Sequence, residues 1–154
     1  MKYAFETLPE IRLGRNELKI TDIKLSNYRF EKDEGVFFTS SPAVAYTTDS
    51  ETGKTIYYSP DEPEFTELLN RNYQNKYNAV TGELPPPVSI KIISKKGKTV
   101  TKYKNTWITA YNVCLLIKGS PEALDFIYNA GIGSKNSQGF GMLRTKEQTA
   151  PPRL

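Results

Sequence analysis

The chain has 154 residues, enough for one domain or a little more and for a real core. Its 38% hydrophobic and 12% aromatic content excludes a disordered chain, and a net charge of +4, from 21 Lys+Arg against 17 Asp+Glu, permits a polyanionic partner without demanding one. The single cysteine, Cys114, excludes an intrachain disulfide framework, no apolar run is long enough to span a membrane, and no histidine is present as general base or metal ligand, so a cytoplasmic protein without cofactor or metal is expected.

In chain order, residues 1–16 read as a weakly structured lead-in or a partial strand. Glu17 to Phe30 alternates in part (Leu18, Ile20, then Ile23, Leu25) and suits a long strand with a break near Asp22. After a charged turn, Val36 to Tyr46 reads as a second strand. Pro42 inside it cannot donate to a ladder and marks a bulge or an edge. Thr55–Tyr58 completes a hairpin across a turn hinged at Gly53. The first helix opens with Asp61 as N-cap and Pro63 in its first turn. It carries Phe65, Leu68, Leu69, Tyr73 and Tyr77 on one stripe and stops at Gly82. Arg71 and Lys76 fall off that stripe and read most simply as solvated charges, the alternative being a role in gripping RNA.

Pro85, Pro86 and Pro87 form a stiff crossover within the domain. Val88, Ile90 and Ile92 alternate with polar residues as a strand. Ser94 to Lys98 reads as a hairpin turn carrying Lys95, Lys96 and Lys98, with Thr99–Lys104 returning. Trp107 to Ile117 is the most apolar strand and should be central. Ser120 caps a second helix with Pro121 at its first position, and Ala123, Leu124 and Ile127 face the sheet. Phe140 to Thr145 forms the last strand, and 146–154 is a polar tail. With the first hairpin counted as an elaboration, the order reduces to β-α-β-β-α-β. The expected fold class is therefore α+β, a ferredoxin-like antiparallel sheet with two helices on one face and an added hairpin.

The stretch that organises the chain joins the second helix to the last strand. It reads Gly131-Ile132-Gly133, five mostly polar residues, then Gly139-Phe140-Gly141, and holds four of the ten glycines. Glycine reaches positive φ without steric cost, and a loop rich in it can aim backbone N–H groups at one anion. Lys135 adds a charge, and Ser134, Asn136, Ser137 and Gln138 add neutral donors. The plain alternative is a glycine-rich turn between helix and edge strand. We expect phosphate-backbone binding at Gly131, Gly133, Ser134, Lys135, Asn136, Ser137, Gln138, Gly139 and Gly141. The Lys95, Lys96 and Lys98 cluster either blunts a sheet edge or clamps phosphates. Tyr103, Trp107 and Tyr111 are either core or base-stacking groups. No catalytic residue and no metal-ligand spacing is identified; Asp61, Glu62 and Glu64 suit a helix start.

On the two glycine pairs, preceded by Asn129-Ala130, the chain resembles the CRISPR repeat-processing endoribonucleases of the RAMP superfamily. The segments Thr39-Ser40-Ser41-Pro42 and Asn72, Asn75-Lys76-Tyr77 are also similar to that family's second domain, and the resemblance covers residues 14–145. It implies two tandem ferredoxin-like domains in family members, of which this chain carries one, and CRISPR repeat RNA as partner. It also implies metal-independent cleavage by attack of a ribose 2′-OH, leaving a 2′,3′-cyclic phosphate, with acid–base groups drawn largely from the N-terminal domain. Further partners it implies are that missing domain, a homodimer mate or effector-complex subunits. A noncatalytic RAMP subunit and a ferredoxin-like protein-interaction module are the remaining classes.

Overall fold

The computed structural model describes residues 10–21 and 28–146. The expected lead-in over 1–9, the break at Asp22 with Ile23 and Leu25, and the tail over 147–154 lie outside the described residues.

Four strands form one antiparallel sheet: β3 (Glu34–Thr39), β6 (Val88–Tyr103), β7 (Thr106–Gly119) and β8 (Leu143–Thr145), in spatial order β6-β7-β3-β8. Helix α1 (Pro63–Thr81) connects β3 to β6, and α2 (Pro121–Ala130) connects β7 to β8. The connectivity is β-α-β-β-α-β, and the fold is α+β and ferredoxin-like. An added hairpin of β4 (Tyr46–Thr48) and β5 (Thr55–Tyr57) sits between β3 and α1, and β1 (Glu10–Leu13) pairs with β2 (Asn16–Lys19) around Gly14.

Register decides which residues meet the helices. Phe37, Leu115 and Ile92 are cross-strand partners on the covered face, with Ile117 and Ile90 one step along. Against them pack Phe65, Leu68, Leu69, Tyr73 and Tyr77 of α1 and Ala123, Leu124 and Ile127 of α2. Side chains alternate between faces along a strand, so Val36, Leu116 and Lys91 share the opposite, uncovered face. A smaller cluster of Val44, Ile108 and Ala110, flanked by Tyr46, Tyr57 and Phe140, seats the β4–β5 hairpin.

Both helices form where local chemistry directs them. Each has proline in its first turn, where the missing N–H costs nothing, and a glycine after its end. Ser120 caps α2 by accepting from the Ala123 N–H. Asp61, the expected cap of α1, does not cap it. The N-cap is Glu62, whose carboxylate accepts from the Ser59 N–H at 2.6 Å, while Asp61 pairs with Lys95.

Four strand expectations are corrected. The strand expected over 17–30 ends at Lys19 in β2, and Tyr28–Phe30 is not strand. The strand expected over 36–46 is two: β3 ends at Thr39, Pro42 interrupts the run, and an isolated bridge from Ala43 to Tyr111 of β7 precedes β4. The largest change concerns Ser94–Lys98. It is not a turn, since β6 runs unbroken from Val88 to Tyr103 and the reversal falls at Lys104–Asn105, where Lys104 takes φ 52°. Two bulges, at Ile93 and Lys96, disturb the alternation, and a bulge adds a residue while increasing twist. Gly97 thus sits in extended pairing opposite Asn112. The last strand is shorter than expected, Leu143–Thr145.

Candidate nucleic-acid interface

The glycine loop leaves α2 at Gly131 and is tied at its root. The Ile132 N–H donates to the Gly141 carbonyl at 2.9 Å, so the two glycine pairs lie side by side. Ser134 N–H donates to Val44 O at 2.8 Å and Gly141 N–H to Pro42 O at 2.9 Å, which fastens the loop to the segment broken by Pro42. Ile132 is buried in the core.

Three of the four glycines are required by this packing. A Cβ on Gly141 would stand 1.9 Å from Ile132 O, and one on Gly133 would stand 2.5 Å from Val44 O. One on Gly131 would meet Asn136 Nδ2 at 2.9 Å. All three also have positive φ. Gly139 differs: its φ is +89°, and an added Cβ meets nothing within 4 Å. Close approach of backbone, and at Gly131 of the Asn136 amide as well, therefore accounts for Gly131, Gly133 and Gly141 without a ligand.

The apex has another character. Lys135 takes the left-handed conformation, φ 62°, and leads into a single 3-10 turn over Asn136–Gln138. The N–H groups of Gln138, Gly139 and Phe140 are spent on carbonyls within the loop. Those of Lys135, Asn136 and Ser137 make no hydrogen bond within the described residues. A left-handed residue followed by right-handed ones brings successive N–H groups round a concavity suited to an anion. The Lys135 ammonium lies 4.7 Å from the Tyr46 ring centroid, and Tyr46 in turn packs on Tyr57. Ser137, Gln138 and Gly139 are exposed. Asn136 points inward: its amide donates to Ile132 O at 3.1 Å and Phe140 O at 3.0 Å, so its side chain staples the loop. The Ser134 hydroxyl donates to Asn72 Oδ1 at 3.3 Å.

Lys76 was expected to be solvated and is not. It is half-buried, and its ammonium donates to the Gly131 carbonyl at 2.8 Å. Burial lowers its pKa to about 8. Asn72 and Lys76 stand one turn apart on α1 and both reach the loop, a pairing visible in the sequence only as i,i+4 spacing.

The basic cluster is dispersed along β6. Lys95 pairs with Asp61 at the start of α1. Lys96, at a bulge, lies 5.4 Å from the Phe38 ring centroid on the uncovered face, and Arg144 approaches the same ring at 5.2 Å. Lys98 is exposed further out. Arg144 was not singled out in the sequence; only the β3–β8 register, pairing it with Phe38, reveals its place. Beyond the bulges the β6–β7 arm carries Lys102 against Trp107 and Lys104 against Tyr103. Trp107 is 61% exposed and Tyr103 50%, whereas Tyr111 packs edge-on against Phe65. Among the described residues, no group of three or more His, Cys, Asp or Glu is placed to hold a metal ion, and no helix is long and apolar enough to cross a membrane.

A ferredoxin-like sheet whose second helix feeds a rooted glycine loop defines a RAMP-type domain. Residues 24–145 match the family described as CRISPR associated protein Cas6, C-terminal, and the chain belongs to that family. Among its relatives, the CRISPR-associated endoribonuclease Cas6 of Pyrococcus furiosus is 28% identical over 139 residues, which cover 90% of this chain and 52% of that protein. A Cas6 endoribonuclease-like protein of the same organism is 30% identical, covering 94% and 61%. A solved structure described as a Cas6-related gene product from Pyrococcus furiosus superposes with a TM-score of 0.80 at 28% identity, covering 96% of this chain and 62% of the other. A RAMP protein described as binding different RNA substrates follows at 0.77 and 29%, covering 92% and 60%. The chain thus spans about half to three-fifths of the length of these relatives.

Proposed function

We propose that this chain is the RNA-binding part of a CRISPR repeat-processing endoribonuclease and that it grips repeat RNA by its phosphates. The observation that carries this is the trio of unspent N–H groups at Lys135, Asn136 and Ser137, on an apex that also carries the Lys135 side chain. Relatives called Cas6 endoribonucleases and a RAMP structure called RNA-binding support it. In-line attack by a 2′-OH needs donors on the phosphate oxygens, a base on the nucleophile and an acid on the leaving oxygen. The loop offers the donors. With no histidine in the chain, the base and acid are assigned to groups outside it, contributed by a further domain or a partner. The arm cations Lys98, Lys102 and Lys104, and Lys96 with Arg144 on the uncovered face, extend the phosphate contacts; such contacts position RNA and carry no sequence information.

The test uses labelled CRISPR repeat RNA, titrated at two salt concentrations against the wild type and Lys135→Gly. Glycine keeps the left-handed conformation while removing the ammonium, its stem and its contact over Tyr46. Affinity should fall about fivefold to tenfold, with the salt slope reduced by about one. Unchanged binding and slope would remove the loop from the interface. Running the same samples for cleavage separates a cutting chain from one that only binds.

A further inference from the structure

Resting on the glycine loop as phosphate site, we propose that Lys76 is its positioning residue: its ammonium, held on the Gly131 carbonyl, fixes where α2 hands over to the loop and supplies a positive charge at the loop's root.

Geometry is the basis. Lys76 lies on α1, 55 residues before Gly131, and bridges to the loop beside the Asn72–Ser134 bond and the packing of Leu69 against Gly133. It reaches a carbonyl at the C-terminal end of α2, the end whose dipole favours a cation. Gly131 is also the first residue of the loop, so a shift there moves everything up to the apex. A solvated lysine would do none of this, and burying a cation costs free energy unless something compensates. One hydrogen bond to a carbonyl at a helix C-terminus is modest compensation for stability alone. The placement makes sense if the charge serves an anion bound nearby.

The ionisable groups on elements packed around Lys76 are engaged elsewhere or exposed. On α1, Tyr77 donates to Glu122 of α2, Tyr73 donates to Pro86 O, and Arg71 is exposed. On α2, Asp125 accepts from Arg29 and from the Phe30 N–H. On the loop, Lys135 rests over Tyr46, and on β8, Arg144 lies over Phe38. None of them is a source of the Lys76 shift, whose cause is burial. With its pKa lowered to about 8, the group is charged at neutral pH and loses its charge as pH rises through that value, below the range of an ordinary lysine. A bound polyanion would favour the charged form and raise this pKa.

The experiment follows the Gly131 carbonyl carbon by NMR between pH 6.5 and 9.5, without RNA, in wild type, Lys76→Arg and Lys76→Met. Repeat-RNA affinity is then measured over the same range. In the wild type the carbonyl shift should titrate with a midpoint about 8, and affinity should fall about fivefold across it. Lys76→Arg, which stays charged, should bind with a flat profile over that range. Lys76→Met should bind weakly and flatly while melting no lower than wild type at neutral pH, a combination that a merely structural lysine would not give. A carbonyl shift that does not titrate, or a methionine variant that binds with the wild-type pH profile, would overturn the inference. Failure of the wild type to bind RNA at any pH is failure of the functional reading, and the carbonyl titration still decides the positioning role.

Discussion

The glycine loop and the β6–β7 arm look alike as sequence, both polar, lysine-bearing and centred on glycine, yet they are built in opposite ways. The loop is fixed by backbone bonds at its root and stapled by Asn136, and it carries one cation at its apex. The arm is a twisted ribbon, largely exposed beyond its bulges, that carries several cations and two exposed aromatic rings. A preorganised donor set gives geometry with little charge; an open ribbon gives charge and area with little geometry. Recognition of a phosphate chain uses both, since donors fix register and cations supply affinity.

That contrast can be broken at four points. Gly141→Ala should have the largest effect, because the new Cβ would overlap the Ile132 carbonyl and φ is +72°. A loss of about 3 kcal/mol is expected in chemical unfolding. Trp107→Ala should leave stability within about 0.5 kcal/mol but weaken repeat-RNA binding by about 1–3 kcal/mol if a base stacks there. Unchanged affinity would return Trp107 to the status of a bare surface ring. Gly139→Ala meets open space, so its cost should be about 1 kcal/mol from the left-handed backbone alone. A melting comparison with Gly141→Ala measures how much of the loop's glycine requirement is contact. Lys98→Ala should do least, reducing the salt slope of RNA binding by about one with no shift in melting.

What was legible in the sequence follows the same division. Both helices were visible because proline starts, glycine stops and apolar stripes are local signals. The ferredoxin-like order followed from them. Position Ser94–Lys98 misled because a distal ribbon has no buried face to impose alternation, while Gly97 between lysines imitates a turn. Pro42 was noticed, yet not its consequence, since whether proline bulges or breaks a strand depends on what lies opposite. The glycine pattern stood out, but the sequence does not say that the Val44 and Ile132 carbonyls crowd two of its members, Gly133 and Gly141, and the Asn136 amide a third, Gly131. Lys76 was misjudged for a related reason: its partner is a backbone carbonyl, which leaves no trace in residue identity. Arg144 over Phe38 required the register of two strands far apart in the chain.

The bond from Ile132 N–H to Gly141 O closes the loop below its apex. The residues between the two glycine pairs are therefore a cassette, framed by a clasp that owes little to them apart from Asn136 and Ser134. Replacing Lys135, Ser137 and Gln138, or lengthening the apex by a residue, would leave the clasp, and the domain beneath it, intact. A scaffold of this kind can change what its apex presents without changing how it folds.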